Sequence, residues 1–167
     1  HDVIGVYLEC WRAPGCRAEE DRKDALAVAL DLEIPFRSLD FRKEYRDRVV
    51  EIFFEDYRKG LTPNPDVWCN TEIKFGLFYD WAMSQGFDAI ATGHYAQILP
   101  AGGVGDQAFQ MARSADEKKD QTYFLYRTRQ DQLPHVLFPI GHLTKDQVRD
   151  EAKKREIVVA DKPDSQG

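Results

Sequence analysis

Two observations predict that the chain folds as an α/β protein with a Rossmann-like parallel sheet and flanking helices. Short segments rich in β-branched and aromatic residues alternate, over residues 1–95, with longer segments whose apolar residues recur at helical spacing. Their order is strand, helix, strand, helix, helix, strand, which is typical of parallel strands connected by helices. The 167 residues, 43% of them hydrophobic, are enough for one ordinary domain with a core.

The first strand and the first helix are the clearest of these elements. "DVIGVYL", residues 2–8, is short and apolar, as a buried strand is. "AEEDRKDALAVALDLEI", residues 18–34, begins with acidic residues, which suit the positive end of a helix dipole, and carries apolar residues at helical spacing. The other elements of this half are a strand in 35–41, helices in 42–60 and 71–86, and a strand in "FDAIATGHY", 87–95.

The sequence changes character after Gln97. "QILPAGGVGDQAFQMARS", residues 97–114, predicts two strands joined by a glycine-rich loop. "HLTKDQVRDEAKKRE", residues 142–156, predicts a helix. We therefore expect one catalytic-type domain over 1–167, with a nucleotide-binding α/β core over about 1–98 and a small hairpin plus helical segment over about 99–167.

Charge and cysteine usage limit the class of protein. The net charge of −6 counts against a protein whose whole surface binds nucleic acid, although a local basic patch is compatible with it. Three cysteines without a CxxC pair favour a reducing compartment, and predict neither a disulfide framework nor a zinc site. No apolar run approaches the ~20 residues of a membrane helix. We expect a cytoplasmic protein that does not bind membranes.

"GLTPNPDVWCN", residues 60–70, holds the first candidate site. Pro63 and Pro65 fix their own φ angles and push each preceding residue into extended geometry, so the turn is stiff. A helix begins behind this turn, with either Asp66 or Asn70 as its N-cap.

Cys69 is the candidate nucleophile of this segment. Both helix starts place it within about one turn of a helix N-terminus, whose partial positive charge favours the thiolate. The alternative is an apolar cysteine buried beside Trp68, which is common. Asp66 is either a helix cap or a general acid or base. Asn64 either caps the helix or hydrogen-bonds the edge of a base.

"ATGHY", residues 91–95, places a Gly-His turn at the carboxyl end of a strand, where open α/β sheets bind ligands. Gly93 would let a ligand approach the backbone closely. The alternative is an ordinary turn with His94 at the surface.

"KKDQTYFLY", residues 118–126, sets basic residues and an amide ahead of an aromatic run. This combination can bind a base that has left its stack. The alternative is a loop that leads into a core segment.

Five segments together resemble the tRNA-specific 2-thiouridylases, in the same order and at similar spacing. The resemblance implies an ATP-pyrophosphatase type of fold, and a reaction in which ATP adenylates the C2 oxygen of the wobble uridine in tRNA. Sulfur from a protein persulfide then replaces that oxygen and AMP is released. The segments are "GLTPNPDVWCNTEIKF", "ATGHYAQI", "KDQTYFLY", "LFPIGHLTKDQVRDEA" and the terminal "DSQG".

The resemblance also implies roles for individual residues. Cys69 would be a nucleophile that works, through disulfide chemistry, against a second cysteine carrying the persulfide. ATP with Mg²⁺, tRNA and a sulfur-donor protein would be the cofactor and partners. The remaining roles are target-base contact for Asn64, Pro65 and Asp66 (with Asp66 handling a proton), ATP contact for Gly93 and Leu8, and tRNA contact for His94, Lys119, Asp120 and Gln121.

The sequence departs from the family in two places. It contains no Ser-Gly-Gly-Val-Asp-Ser phosphate loop, and the family's second cysteine falls just after a stretch like "DSQG", where this sequence stops. We therefore expect it to be a piece of a longer protein. Two alternatives remain at this stage: an ATP-pyrophosphatase that adenylates a carbonyl without thiolation, and a non-catalytic relative that binds tRNA or protein.

Overall fold

The computed structural model of the chain describes residues 1–12, 15–102 and 108–162. They form two compact units, His1–Arg46 with Asp146–Gly167, and Asp47–Lys145. The single domain predicted from the sequence stays a prediction. The "DSQG" segment and most of the glycine-rich loop lie outside the described residues.

The regular elements are β1 Gly5–Glu9, α1 Ala18–Asp31, β2 Phe36–Asp40, α2 Arg42–Tyr45, α3 Glu51–Arg58, α4 Pro65–Trp68, α5 Tyr79–Ser84, β3 Ile90–Ala91, β4 Ala96–Pro100, β5 Phe109–Arg113, β6 Val136–Leu137 and α6 Lys145–Lys154.

The first unit contains a strand–helix–strand motif. β1 pairs with β2 in parallel, from Gly5 opposite Phe36 to Glu9 opposite Asp40, and α1 connects them. Parallel pairing requires such a crossover, since the chain must return to the same end of the sheet. Both strands and the helix lie where the sequence predicted them.

The second unit contains a parallel pair and a hairpin. β3 pairs in parallel with β6, and β4 pairs antiparallel with β5 across the glycine-rich loop. The predicted α/β class, with parallel strands, flanking helices and a small hairpin, is confirmed. The strand predicted in "FDAIATGHY" is only two residues long, and both of its residues pair with β6.

Two of the predicted helices contain π-helical segments, Arg46–Val50 and Cys69–Phe78. In a π-helix each N–H bonds to the carbonyl five residues before it, so residues five apart lie one above the other. Gly76 fits this geometry, because a Cβ there would lie 2.8 Å from the carbonyl oxygen of Thr71. The sequence analysis assumed ordinary α-helix in both places.

The core of the second unit packs the π-helix against the strands. Phe75 and Phe138 meet edge to face, with ring centroids 6.1 Å apart. Each buried side chain of this size contributes about 2–3 kcal/mol through removal of apolar surface from water. The core therefore holds the π-helix and the end of β3 in fixed positions. Its buried members are Phe75, Tyr79, Ala82, Ile90, Ala96, Leu125, Val136 and Phe138.

Candidate functional site

Asn64 is the N-cap of the helix that carries Cys69. Its side-chain Oδ1 accepts hydrogen bonds from the backbone N–H groups of Asp66 (3.1 Å) and Val67 (3.2 Å). Pro65 occupies the first helical position, where its missing N–H is no loss. Of the N-caps that the sequence allowed, Asp66 and Asn70 were wrong, and the alternative in which Asn64 caps the helix is confirmed. Pro65 holds Asn64 in extended geometry, which leaves the short Asn64 side chain beside two free N–H groups.

Cys69 ends the first helical turn and opens the π-helix. It is half-buried rather than sealed in the core. Burial raises the pKa of its thiol, the positive charge of Lys74 lowers it, and the negative charge of Asp66 raises it. The net shift of the pKa is upward, opposite to the direction expected from the helix N-terminus alone. Reactivity at Cys69 therefore depends on nearby positive charge.

His94 is buried, with 8% of its surface exposed. Burial, together with the charge of Lys74, lowers its pKa to about 3. The ring is therefore neutral near pH 7. Its Nδ1 lies 2.7 Å from the Thr92 hydroxyl and its Nε2 lies 3.1 Å from Asn70 Oδ1. Since an amide oxygen only accepts, Nε2–H donates to Asn70 and Nδ1 accepts from Thr92. The alternative of a surface histidine was wrong.

Asn70 joins three of the segments that the sequence singled out. Its Nδ2 donates to the backbone carbonyl of Phe124 at 3.1 Å, while its Oδ1 accepts from His94. Only 4% of Asn70 is exposed, so both bonds are made away from water. Residues 60–70, "ATGHY" and "KDQTYFLY" are thus tied together by one chain of hydrogen bonds. The sequence analysis missed this role of Asn70.

The side chains of Asp120 and Gln121 build the loop that carries them. Gln121 Oε1 accepts from the backbone N–H of Tyr95 at 2.9 Å. Asp120 accepts from the N–H of Ser114 at 3.0 Å and from the Thr122 hydroxyl at 2.7 Å. Lys119 is exposed. The tRNA contacts expected of these three residues stay predictions.

Gly93 is exposed, and nothing in the protein requires a glycine there. A Cβ would meet only Ile140 Cδ1, at 3.9 Å, and the backbone does not adopt a positive φ. Open space above the backbone fits the close approach of a ligand such as ATP. Leu8 is half-buried in β1, opposite Leu39, and belongs to the first unit.

The chain matches a family model described as the tRNA methyl transferase HUP domain, over residues 1–167. The chain belongs to this family. It is 51% identical over 171 residues to the tRNA-specific 2-thiouridylase MnmA of Streptococcus mutans, and 49% identical to proteins of the same name in Streptococcus thermophilus and Lactococcus lactis subsp. cremoris. Each alignment covers 100% of this chain and 45% of the relative, so the chain spans about half the length of these relatives. The resemblance found in the sequence is confirmed.

No helix of the described residues is long and apolar enough to cross a membrane. Within residues 1–12, 15–102 and 108–162, no three His, Cys, Asp or Glu side chains are grouped as a metal site would require. Among these residues, Cys10, Cys16 and Cys69 form no disulfide bond.

Lys74 is the member of the site that the sequence analysis missed. Its Nζ lies 3.4 Å from His94 Nε2, and its charge also acts on Cys69. Cys69 and Lys74 are five positions apart, which places them on different faces of an α-helix but on one face of a π-helix. No signal of α-helical periodicity could have found this pair.

Proposed function

We propose that the chain is part of an enzyme that thiolates the C2 position of the wobble uridine in tRNA, with ATP as the activating reagent. The relatives named 2-thiouridylases support a tRNA-modifying transferase at the family level. The observation that carries the proposal is the position of Cys69, half-buried directly beside Asn70, whose bonds join three of the segments that resemble the family. A nucleophile needs such a fixed, partly accessible position.

ATP, when bound, would make the C2 oxygen of the uridine a leaving group by adenylating it. Gly93 would supply open backbone for ATP. The adenine contact expected of Leu8 stays a prediction. The uridine has to leave its stack before its C2 atom can be reached, as in other base-modifying enzymes. Asn64 and Pro65, at the stiff start of α4, would hold the base beside Cys69.

Sulfur transfer would proceed through Cys69 and a second cysteine that carries a persulfide. The thiolate of Cys69 attacks the inner sulfur of that persulfide and forms a disulfide with it. The persulfide S–S bond breaks, and its terminal sulfur takes the electron pair and bonds to C2. The C2–O bond then breaks and AMP leaves with the oxygen. Asp66 is exposed one turn before Cys69 and is our candidate to accept the thiol proton.

The test compares Cys69→Ser with Cys16→Ser in the complete protein that carries this chain. Purified protein is given tRNA, ATP and a protein persulfide, and both AMP release and sulfur incorporation are measured. We expect Cys69→Ser to lose sulfur incorporation by at least about 10³-fold, as expected for loss of a nucleophile. Cys16 is an exposed cysteine, and Cys16→Ser is the matched control that should leave the rate unchanged.

Three results would overturn parts of the proposal. Unchanged sulfur incorporation in Cys69→Ser would remove Cys69 as the nucleophile. AMP release without sulfur incorporation in the unaltered protein would favour an ATP-pyrophosphatase that does not thiolate. Neither product, from a folded protein that binds tRNA, would favour the non-catalytic alternative.

A further inference from the structure

The π-helix brings a cation to the face that carries the candidate nucleophile. Cys69 is the first residue of this π-helix and Lys74 is the sixth, which is one π-helical turn along it. The i to i+5 bonding stacks these two positions. Gly76, two residues further on, leaves the Thr71 carbonyl the room that this wide turn needs.

Lys74 is half-buried. No ion pair reaches it from any of the residues that the structure describes. Its neighbour Glu72 pairs instead with Arg48, at 3.4 Å. A cation that is partly removed from water is costly unless an anion faces it.

His94 does not supply that anion. Its ring is neutral, and Nε2 already donates its hydrogen to Asn70. The 3.4 Å contact between Lys74 Nζ and His94 Nε2 therefore joins two donors and is not a hydrogen bond. The ammonium hydrogens are therefore directed away from Nε2. The Cys69 sulfur, once deprotonated, is a negative group on the same face.

We infer that Lys74 is a positioning residue for Cys69, whose ammonium stabilises the Cys69 thiolate and so keeps a half-buried thiol reactive near neutral pH. The inference rests on the proposed function for the role of Cys69, but the charge effect itself is independent of that function. Two further titratable groups lie near Cys69 and Lys74. His94 is neutral, and the carboxylate of Asp66 raises the pKa of Cys69, against the effect of Lys74. Arg127 lies over the ring of Trp68, 4.4 Å from its centroid, on the residue before Cys69.

The experiment measures how fast Cys69 is alkylated as a function of pH. The complete protein is treated with iodoacetamide between pH 6 and pH 10, and mass spectrometry follows the peptide that contains Cys69. Because thiolate is the reactive form, the midpoint of the profile reports the pKa of this thiol. No tRNA, ATP or sulfur donor is needed.

Three variants separate charge from packing. Lys74→Met removes the charge and should raise the midpoint by about one pH unit, which lowers the rate about tenfold on the acid side. Lys74→Arg keeps the charge and should keep the midpoint. Lys59→Met removes a lysine whose side chain is 63% exposed and is the matched control. If Lys74→Met does not fold, as judged by tryptophan fluorescence, Lys74→Gln takes its place.

An unchanged midpoint in a folded Lys74→Met or Lys74→Gln protein would overturn the inference. So would a shift in Lys74→Arg as large as that in Lys74→Met, since the charge is retained there. Failure of the proposed function would be seen in a different measurement. Cys69→Ser would then still incorporate sulfur, whatever effect Lys74→Met has on the alkylation of Cys69. If Cys69 is required for thiolation but Lys74→Met leaves its pH profile unmoved, the function stands and the inference fails.

Discussion

The two units of this chain differ in the polar side chains that they bury. Both units carry ion pairs at or near the surface; in the first unit Lys162 contacts both Asp21 and Asp24 at 2.6 Å, and Arg42 contacts Asp40 at 2.6 Å. In the second unit the bonded polar side chains of the core are neutral and buried, among them Asn70, His94 and Gln132. Water competes for the first kind of bond and is excluded from the second.

This difference predicts where the chain is sensitive to substitution. Exposed ion pairs contribute little, because solvent and salt screen them and because long side chains lose freedom when they pair. A buried polar group whose partner is removed stays unsatisfied and costs the full desolvation penalty. The candidate site lies in the second unit, so the rigidity that it needs comes from neutral buried bonds and close packing. Four substitutions test this comparison, in order of decreasing effect.

The largest effect is expected for Gly141→Ala, in the second unit. A Cβ at this position would overlap the carbonyl oxygen of Ala96, which is backbone and cannot turn away. We expect the free energy of unfolding to fall by about 3 kcal/mol or more, as measured by urea unfolding followed by tryptophan fluorescence. Gly93→Ala is the control, because its Cβ would meet nothing closer than 3.9 Å, and it should stay within about 0.5 kcal/mol of the unaltered chain. Equal stabilities of the two variants would contradict the close packing described here.

Gln132→Leu should come next. Gln132 is 1% exposed, and it donates to the carbonyl of Phe75 at 2.5 Å and accepts from the N–H of Arg129 at 3.1 Å. Leucine fills a similar volume but removes the buried hydrogen bond to the Phe75 carbonyl and the half-buried one from Arg129, so we expect a loss of about 2–3 kcal/mol.

Gln130→Leu is the matched control for this measurement. Gln130 also donates to a backbone carbonyl, that of Phe109 at 2.6 Å, but it is exposed, and water can replace the bond. We expect a loss of less than about 1 kcal/mol. Similar losses in the two variants would mean that burial does not set the strength of these bonds.

His94 predicts a pH dependence of stability. Its pKa is about 3 in the folded chain against an ordinary value of 6.5, so between these values the unfolded state binds more protons than the folded state. Stability therefore rises with pH through this window and is lost as the pH falls below about 6.5. The contribution of His94 should fall by about 2 kcal/mol between pH 8 and pH 5.

The measurement compares urea midpoints at pH 8 and pH 5. His94→Gln should remove most of the difference between the two pH values, even if it lowers stability at both. His142→Gln, at an exposed histidine, should keep the difference. A His94→Gln protein with an undiminished pH dependence would refute the neutral, buried imidazole.

Local pattern was enough to predict much of the fold. β1, α1, β2 and the β4–β5 hairpin follow from alternation, helical spacing and turn residues, all of which lie within a few positions of one another. β6 was missed because it is two residues long and exists only through its pairing with β3, more than forty residues away. The π-helical segments were missed because a period of 3.6 was assumed. One consequence is that Val49 and Tyr57, whose spacing of eight residues would place them on one face of an ordinary α-helix, are 1% and 67% exposed.

The site shows the same division. Residue types near turns identified Cys69, Asn64 and Gly93 as candidates, because a turn is determined by residues that are neighbours in the sequence. The proximity of Lys74 to His94 and its effect on Cys69 depend on the π-helix and on a fold that brings residues twenty positions apart to 3.4 Å. Such distances are properties of packing, and no single segment contains them.

The smallest effect should follow Lys162→Ala, in the first unit. Lys162 bridges Asp21 and Asp24 with contacts of 2.6 Å each, and those bonds raise its pKa. A short distance between exposed groups does not make a strong interaction, because water solvates the separated charges almost as well. Urea unfolding should show a loss of less than about 1 kcal/mol, and the loss should shrink further in 1 M salt. A loss comparable to that of Gln132→Leu, persisting in high salt, would show that this ion pair is shielded from water and would break the contrast between the two units.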